Sequence, residues 1–338
     1  MSRGCIVVLF VLLGSTGARS QQAEQPVPSK EQILDCWREA LRTVSDARVR
    51  ITKEYYFARD ENPVNLTQID RRELVHFGRS YLFNHSLCEI QEGKEKEIDG
   101  RRDIANTIYQ ATLKQGQQNK QWSLVNYAEG ERTFGPNAKL GLLPWLICFN
   151  QLLPEWFSNP RIQVVKVTRP DPSNPTIVRV TLRLNEVGLS RDEADAQTVK
   201  RGYFDFDEFR YFCPLRYELA RKTRHSEWVE TATFEYAPSK GLPILQLRDV
   251  SSPSIRSEKL GMRHSREVET YEIEYNPSLD EKIFWLSNYG LPEPPGVTPP
   301  RGTPRYVWFL MAAGVLTVLG ILFRIRAART HQPSGAAP

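Results

Sequence analysis

Asp205, Asp207 and Glu208 lie in the segment Phe204-Asp-Phe-Asp-Glu-Phe209, a spacing that invites a catalytic carboxylate pair or a calcium loop. Neither pattern is complete. No calcium-loop spacing or bend glycine follows, and no nucleophile, base and orienting group accompany the acids. An acidic turn between two aromatic-rich strands accounts for them. The histidines are five, at positions 76, 85, 225, 264 and 331. His76 and His85 flank a predicted turn and could meet across a hairpin. No third ligand stands at metal-site spacing, so they read as surface histidines on strands. The chain has no metalloprotease helix, nucleophile elbow, P-loop, dinucleotide glycine pattern or paired Cys-x-x-Cys. These residues therefore predict no enzyme, no catalytic group, no cofactor and no metal.

Cys5 falls inside an apolar N-terminal run, which leaves Cys36, Cys88, Cys148 and Cys213. An oxidising compartment would permit disulfides among these four, but sequence alone selects no pairing. Four buried thiols is the alternative, because a domain of this length buries a large core without staples. Asn65 (Asn-Leu-Thr) and Asn84 (Asn-His-Ser) match the glycosylation sequon, which matters only in a eukaryotic secretory route.

The two ends predict where the chain works. Residues 1–20 carry Arg3, an apolar core from Cys5 to Leu13, and small residues Ala18 and Ser20 before a cut ahead of Gln21, as in a secretory signal peptide. An uncleaved anchor is the alternative, and the apolar core is short for one. Tyr306 to Phe323 contains no charge. As a helix rising 1.5 Å per residue it would reach about 27 Å, close to the ~30 Å hydrocarbon thickness. Arg324, Arg326 and Arg329 suit a cytoplasmic side, although Arg301 and Arg305 weaken the asymmetry. The expectation is a single C-terminal transmembrane helix at 306–323, a short cytoplasmic tail at 324–338, and an N-terminal domain outside the cytoplasm, in a bacterial periplasm. From Pro292 to Pro304 the chain is rich in proline, so 292–305 reads as an extended stalk.

Lys and Arg total 45 against 40 Asp and Glu. Arg3, Arg19, Arg301, Arg305, Arg324, Arg326 and Arg329 all lie in the terminal segments, which leaves 38 bases against the same 40 acids between them. The outer domain is not basic, and it lacks the electrostatic footprint of a nucleic-acid binder.

Between a disordered lead at 21–28 and the stalk, residues 29–291 read as one β domain. Ser29 followed by Gln32 marks a helix start, and Ile33, Leu34, Trp37, Ala40, Leu41 and Val44 recur at helical spacing. From Arg48 the period becomes two, with Val49, Ile51, Tyr55 and Phe57 on one face interrupted only by Lys53. Further strands are predicted at 68–77, 80–90, 105–114, 121–128, 161–168, 177–185, 203–217, 227–236, 244–249 and 267–275. A solvated charged loop is predicted at 92–103. Residues 137–157 are apolar nearly all round and predict a helix, either core or lid over a hydrophobic cavity. The count of ten to twelve strands and two helices gives a mainly β, α+β fold: a large curved antiparallel sheet or open half-barrel with helices covering one face.

This order of elements, an opening helix leading into a strand, hairpins, a mid-chain apolar insertion and more hairpins, resembles the LolA/LolB type of outer-membrane lipoprotein carriers over residues 29–276. The segments Tyr203-Phe-Asp-Phe-Asp, Cys213-Pro-Leu-Arg-Tyr217 and Phe284-Trp-Leu-Ser-Asn-Tyr-Gly-Leu-Pro-Glu-Pro294 also look like a group of uncharacterised exported, C-terminally anchored bacterial proteins. The carrier resemblance implies an acyl-chain cavity lined by Trp145, Leu146, Phe149, Leu152 and Trp156. The leading expectation is a tethered binding protein for a lipid, lipoprotein or other hydrophobic ligand. An envelope interaction or sensing module without a small ligand is the alternative.

Overall fold

In a computed structural model the described residues are 26–59, 65–116, 120–130, 141–148, 151–184, 198–222, 227–257, 261–299, 310 and 313–322. The expected signal peptide and cytoplasmic tail lie outside them.

The chain opens with α1 (Lys30–Thr43), whose capping box is complete. Gln32 N–H donates to Ser29 Oγ at 3.2 Å, and Ser29 N–H donates to Gln32 Oε1 at 2.7 Å. Its buried stripe is Ile33, Leu34, Trp37 and Ala40, as the spacing predicts.

Fifteen strands follow among the described residues. The first run is β1 (Ala47–Arg59), β2 (Asn65–Phe77), β3 (Ser80–Gln91), β4 (Lys94–Ala105), β5 (Tyr109–Gln115) and β6 (Trp122–Glu129). A two-residue ladder, β7 (Ile147–Cys148) with β8 (Gln151–Leu152), leads into the short α2 (Leu153–Ser158). The second run is β9 (Ile162–Thr168), β10 (Ile177–Leu184), β11 (Thr198–Asp207), β12 (Cys213–Lys222), β13 (Glu227–Ala237), β14 (Ile244–Ser257) and β15 (Gly261–Tyr275).

All strands except β7 and β8 form one antiparallel sheet of thirteen, in the order β6-β5-β4-β3-β2-β1-β15-β14-β13-β12-β11-β10-β9. Each run is a meander of hairpins, and the two are joined where β1 pairs with β15 from Ala47↔Tyr275 to Arg59↔Arg263. The open edges, β6 and β9, are consecutive along the chain apart from the segment that links them. Of that segment, residues 141–148 and 151–158 lie over one face. We call this the crossover face.

Three expectations change here. The charged stretch 92–103 is mostly strand: Glu92 and Gly93 both have positive φ, 52° and 75°, which makes the tight turn whose twist matches a hairpin. Its charges then stand out from β4 and pair with neighbours, Glu95 with Arg71 at 2.9 Å and Asp99 with Lys114 at 3.5 Å. The stretch 203–217 belongs to two strands, β11 and β12, with a turn between them. The apolar stretch expected as one helix over 137–157 is, where described, a 3₁₀ turn (Pro144–Leu146), the β7–β8 ladder and the six-residue α2. Pro144 and Pro154 explain the break, since each sits in the first turn of a new element and cannot continue a preceding helix.

The opposite face is covered over β2 to β5 by two 3₁₀ turns, Glu281–Phe284 and Leu286–Tyr289. Phe284, Trp285 and Leu286 bury against Val75, Leu82, Ile104, Tyr109, Ala111 and Leu113. Tyr109 Oη donates to Glu293 Oε2 at 2.7 Å and accepts from Leu286 N–H at 2.9 Å, and Val297 packs on the same cluster. The first residues of the proline-rich stretch are thus part of the folded body. Of the expected membrane span, residues 313–322 are helical with exposed apolar side chains. Among the described residues no helix is long and apolar enough to cross a membrane.

Candidate ligand-binding site

The crossover face has two halves. In the first, α1 and the crossover close over β1, β2 and β9 to β14 in one apolar core. Trp145 and Leu146 are completely buried there, and Leu152 and Trp156 are nearly so. Phe149 lies outside the described residues. Trp37 meets Phe157 edge-on at 5.1 Å between ring centroids, Trp156 meets Phe204 at 5.7 Å, and Phe204 stacks on Phe206 at 5.5 Å. The indole N–H of Trp37 donates to Phe212 O at 3.0 Å, which satisfies its polar atom inside the core. Of the residues the carrier resemblance selects, the four that are described are brought together, as packed core.

The second half begins at a row of buried charges on the same face. Arg248, on β14, donates to Ile147 O at 3.1 Å and pairs with Glu269, on β15, at 2.7 Å. Glu269 also takes Lys53, on β1, at 3.3 Å and the Tyr271 hydroxyl. The register places Lys53 opposite both Glu269 and Asp70. Asp70, nearly buried, holds Arg72 at 2.5 Å and His85 Nε2 at 3.2 Å. On the other side of the row Glu230 accepts from Arg221 at 2.6 Å and from the Tyr217 hydroxyl at 2.8 Å.

Burial by itself would raise the Glu269 carboxyl, but Arg248 and Lys53 outweigh it and hold the pKa below the usual carboxylate value. Burial raises the Cys148 thiol, which faces Arg248, Glu230 and Arg221. Burial likewise pushes Cys213 up to about 12. Neither thiol is a thiolate at neutral pH, so neither is an activated nucleophile. All four described cysteines are free.

Beyond the row no described residue of the crossover covers the face. An open recess of about 380 Å³ lies there, lined by Tyr55, Phe57, Gln68, Glu89, Ser265 and Glu267 among others. Phe57 is substantially exposed and Tyr55 half-buried. The recess, the charged row and the apolar core follow one another along the strands, in the order of a polar entrance and an apolar interior.

Other expected sites resolve differently. Asp205 is not in a turn: it sits on β11, almost fully buried, between Arg179 at 2.7 Å and Arg216 at 2.6 Å. These two guanidiniums hold its carboxyl below the ordinary range against the opposing effect of burial. His76 and His85 face different partners, Ser45 O at 2.7 Å and Asp70, and their register positions on β2 and β3 are four apart. No cluster of three or more metal-ligating side chains occurs among the described residues. The charged row was missed in the sequence, where Lys53 interrupting the apolar face of β1 was its one trace.

No family model matches the chain, and no curated protein matches it. Solved structures similar in plan include a LolA superfamily protein from Nitrosomonas europaea, 13% identical, covering 76% of this chain and 97% of that one, with a TM-score of 0.36. A DUF1329 family protein from Desulfovibrio piger is 11% identical over 77% of this chain and 98% of that one, also with a TM-score of 0.36. A porin-like protein from Bacteroides uniformis is 10% identical over 68% and 96%, with a TM-score of 0.23. At these scores the likeness brings no ligand and no residue role with it.

Proposed function

We propose that the chain is a membrane-tethered extracytoplasmic binding protein for a hydrophobic ligand, of the lipid or lipoprotein class. One observation carries the reading: an apolar strap of short elements lies across the sheet, and among the described residues the same face has an open recess beside it. The strap consists of one 3₁₀ turn, a two-residue ladder and a six-residue helix. None has the cooperative hydrogen bonding of a long helix, so the strap is held by the burial of its side chains, and a ligand that lodges there must replace those apolar contacts. An acyl chain entering from the recess at Tyr55 and Phe57 would pass the charged row and lodge against Trp145, Leu146, Leu152 and Trp156. The signal peptide at 1–20 and the span at 306–323 would place this domain on the outer side, as a stationary receiver and not a shuttle.

The test is a titration of the detergent-solubilised full chain with a fluorescent fatty acid. Saturable binding that weakens at least tenfold in Trp156→Ala is the expected result. No saturable binding by folded protein sinks the proposal.

A second reading has its own support: Phe209 is 72% exposed at the β11–β12 turn, and Leu124 and Val125 stand out from edge strand β6. Such side chains suit an envelope protein partner. Crosslinking in intact cells from a photoreactive group at Phe209 would recover that partner, and its failure to recover one counts against this role.

A further inference from the structure

We infer that the face opposite the crossover carries a second binding site, a groove running across β1 to β6 built for a carboxylated sugar. Its floor is a register row in which the small residues Thr52, Ser86 and Gly100 leave room beside Arg71. Thr52 stands opposite Arg71, Arg71 opposite Ser86, and Ser86 opposite Gly100. At Gly100 even a Cβ would press on Glu97 Oε1 at 3.2 Å and touch Gln115 at 3.4 Å. Gln115 in turn pairs with Trp122 on the edge strand. The groove is open and encloses about 330 Å³, within the ~300–1,000 Å³ typical of small-molecule sites.

Two polar walls flank the floor. One is the neighbouring register row, Arg50, Glu73, Asn84 and Arg102. Arg50 donates to Glu73 at 3.1 Å, Asn84 donates to Glu73 at 2.8 Å, and Arg102 donates to Asn84 Oδ1. The other wall is formed by Glu95 and Glu97, which accept from the floor residues Arg71 and Ser86 at 3.0 Å each. Amide, hydroxyl and carboxylate groups thus alternate along the groove, which is the complement of a polyhydroxylated ring.

Arg102 decides the class of ligand. Arg50 and Arg71 each hydrogen-bond a carboxylate, whereas Arg102 donates to Asn84 Oδ1 and Tyr289 and feels the Glu73 carboxylate without a direct ion pair. Its guanidinium lies 4.4 Å from the ring centroid of Trp122 and 4.3 Å from that of Tyr289. Burial lowers its pKa below the usual arginine value. A half-buried cation within 4.4 Å of two ring centroids, beside an open groove, is placed to take one carboxylate in a two-point contact. A phosphate cluster or other polyanion would meet the carboxylates of Glu73 and Glu97 in the same walls. One negative charge on a hydroxylated ring fits both features.

The test uses the full chain in detergent micelles, titrated by calorimetry with trigalacturonate, free galacturonate and maltotriose. Saturable binding of trigalacturonate, at least tenfold tighter than maltotriose, supports the site. Tighter binding of the trimer than of the free acid assigns it to a glycan, and equal binding assigns it to the sugar acid itself. Arg102→Lys should weaken binding at least tenfold, because an ammonium cannot make the two-point contact of a guanidinium. Gly100→Leu should abolish it by filling the floor, with Ser86→Leu as the second variant if Gly100→Leu fails to fold. Absence of saturable binding by either acid sugar overturns the inference. So does equal affinity for maltotriose, or binding that survives both Arg102→Lys and a folded floor variant.

Discussion

The two faces of this sheet handle charge in opposite ways. On the crossover face Arg248, Glu269 and Lys53 are closed in together, and each positive group has a carboxylate within 3.3 Å. On the opposite face Arg102 is only half-buried and held by Asn84 and two aromatic rings, at the rim of a groove that stays open. A satisfied buried pair contributes little over an apolar pair of equal volume, but it is costly to break. A stacked cation with spare donors contributes modestly to the fold and is available to a ligand. The contrast separates a row of charges that holds the fold from one that faces outward to bind.

The largest expected effect is on the closed face. Arg248→Met removes the partner of a carboxylate that remains buried, and should destabilise the domain by about 3–5 kcal/mol in urea unfolding. If the loss is under ~1 kcal/mol, the row is not closed and the contrast between faces fails.

Next comes the pH dependence of the same row. The folded pKa of Glu269 lies below its unfolded value, so the native state binds fewer protons than the unfolded chain as acid is added. Its contribution is fully present above the unfolded value of about 4.3 and is lost as pH falls through the lowered folded value. Melting temperatures measured from pH 6 down to pH 3 should fall less steeply in Glu269→Gln than in the wild type. Parallel curves would assign the acid sensitivity elsewhere, with Asp205 the next carboxylate to test, since its pKa is lowered as well.

Smaller again is Arg102→Met on the open face. It gives up two ring contacts at about 0.5–1 kcal/mol each, and should cost roughly 1–2 kcal/mol in the same urea assay while removing sugar-acid binding. A stability loss as large as that of Arg248→Met would show that Arg102 is structural and erase the distinction. The smallest effect is expected for Glu95→Gln, whose partner Arg71 is itself nearly half exposed. An exposed pair of this kind contributes about 0–1 kcal/mol, and thermal melting should barely move.

How much of this was legible depended on whether the signal was local. The start of α1 at Ser29 and Gln32, its apolar stripe, and the alternation along β1 are properties of neighbouring residues, and they appear in the structure where the spacing put them. The stretch 92–103 misled because its charges mimic a loop, while the positive φ at Glu92 and Gly93 that makes it a hairpin is a backbone property. The stretch 137–157 misled because apolar composition alone does not tell a buried helix from a buried run of short pieces; Pro144 and Pro154 were the available signs. Asp205 reads as a solvated acid until Arg179 and Arg216 are brought over it from neighbouring strands.

Sequence by itself determined the β-rich class, the opening helix, the balanced charge of the outer region and the core membership of Trp37, because period and composition report which side chains leave water. Tertiary structure alone decided the rest. The pairing of β1 with β15 aligns Lys53 with Glu269 across more than 200 residues of chain, and the stacking of β2, β3 and β4 in register lines up Glu73, Asn84 and Arg102. The physical reason is that a strand specifies which face a residue occupies but not its neighbours on that face, which are set by sheet order and register.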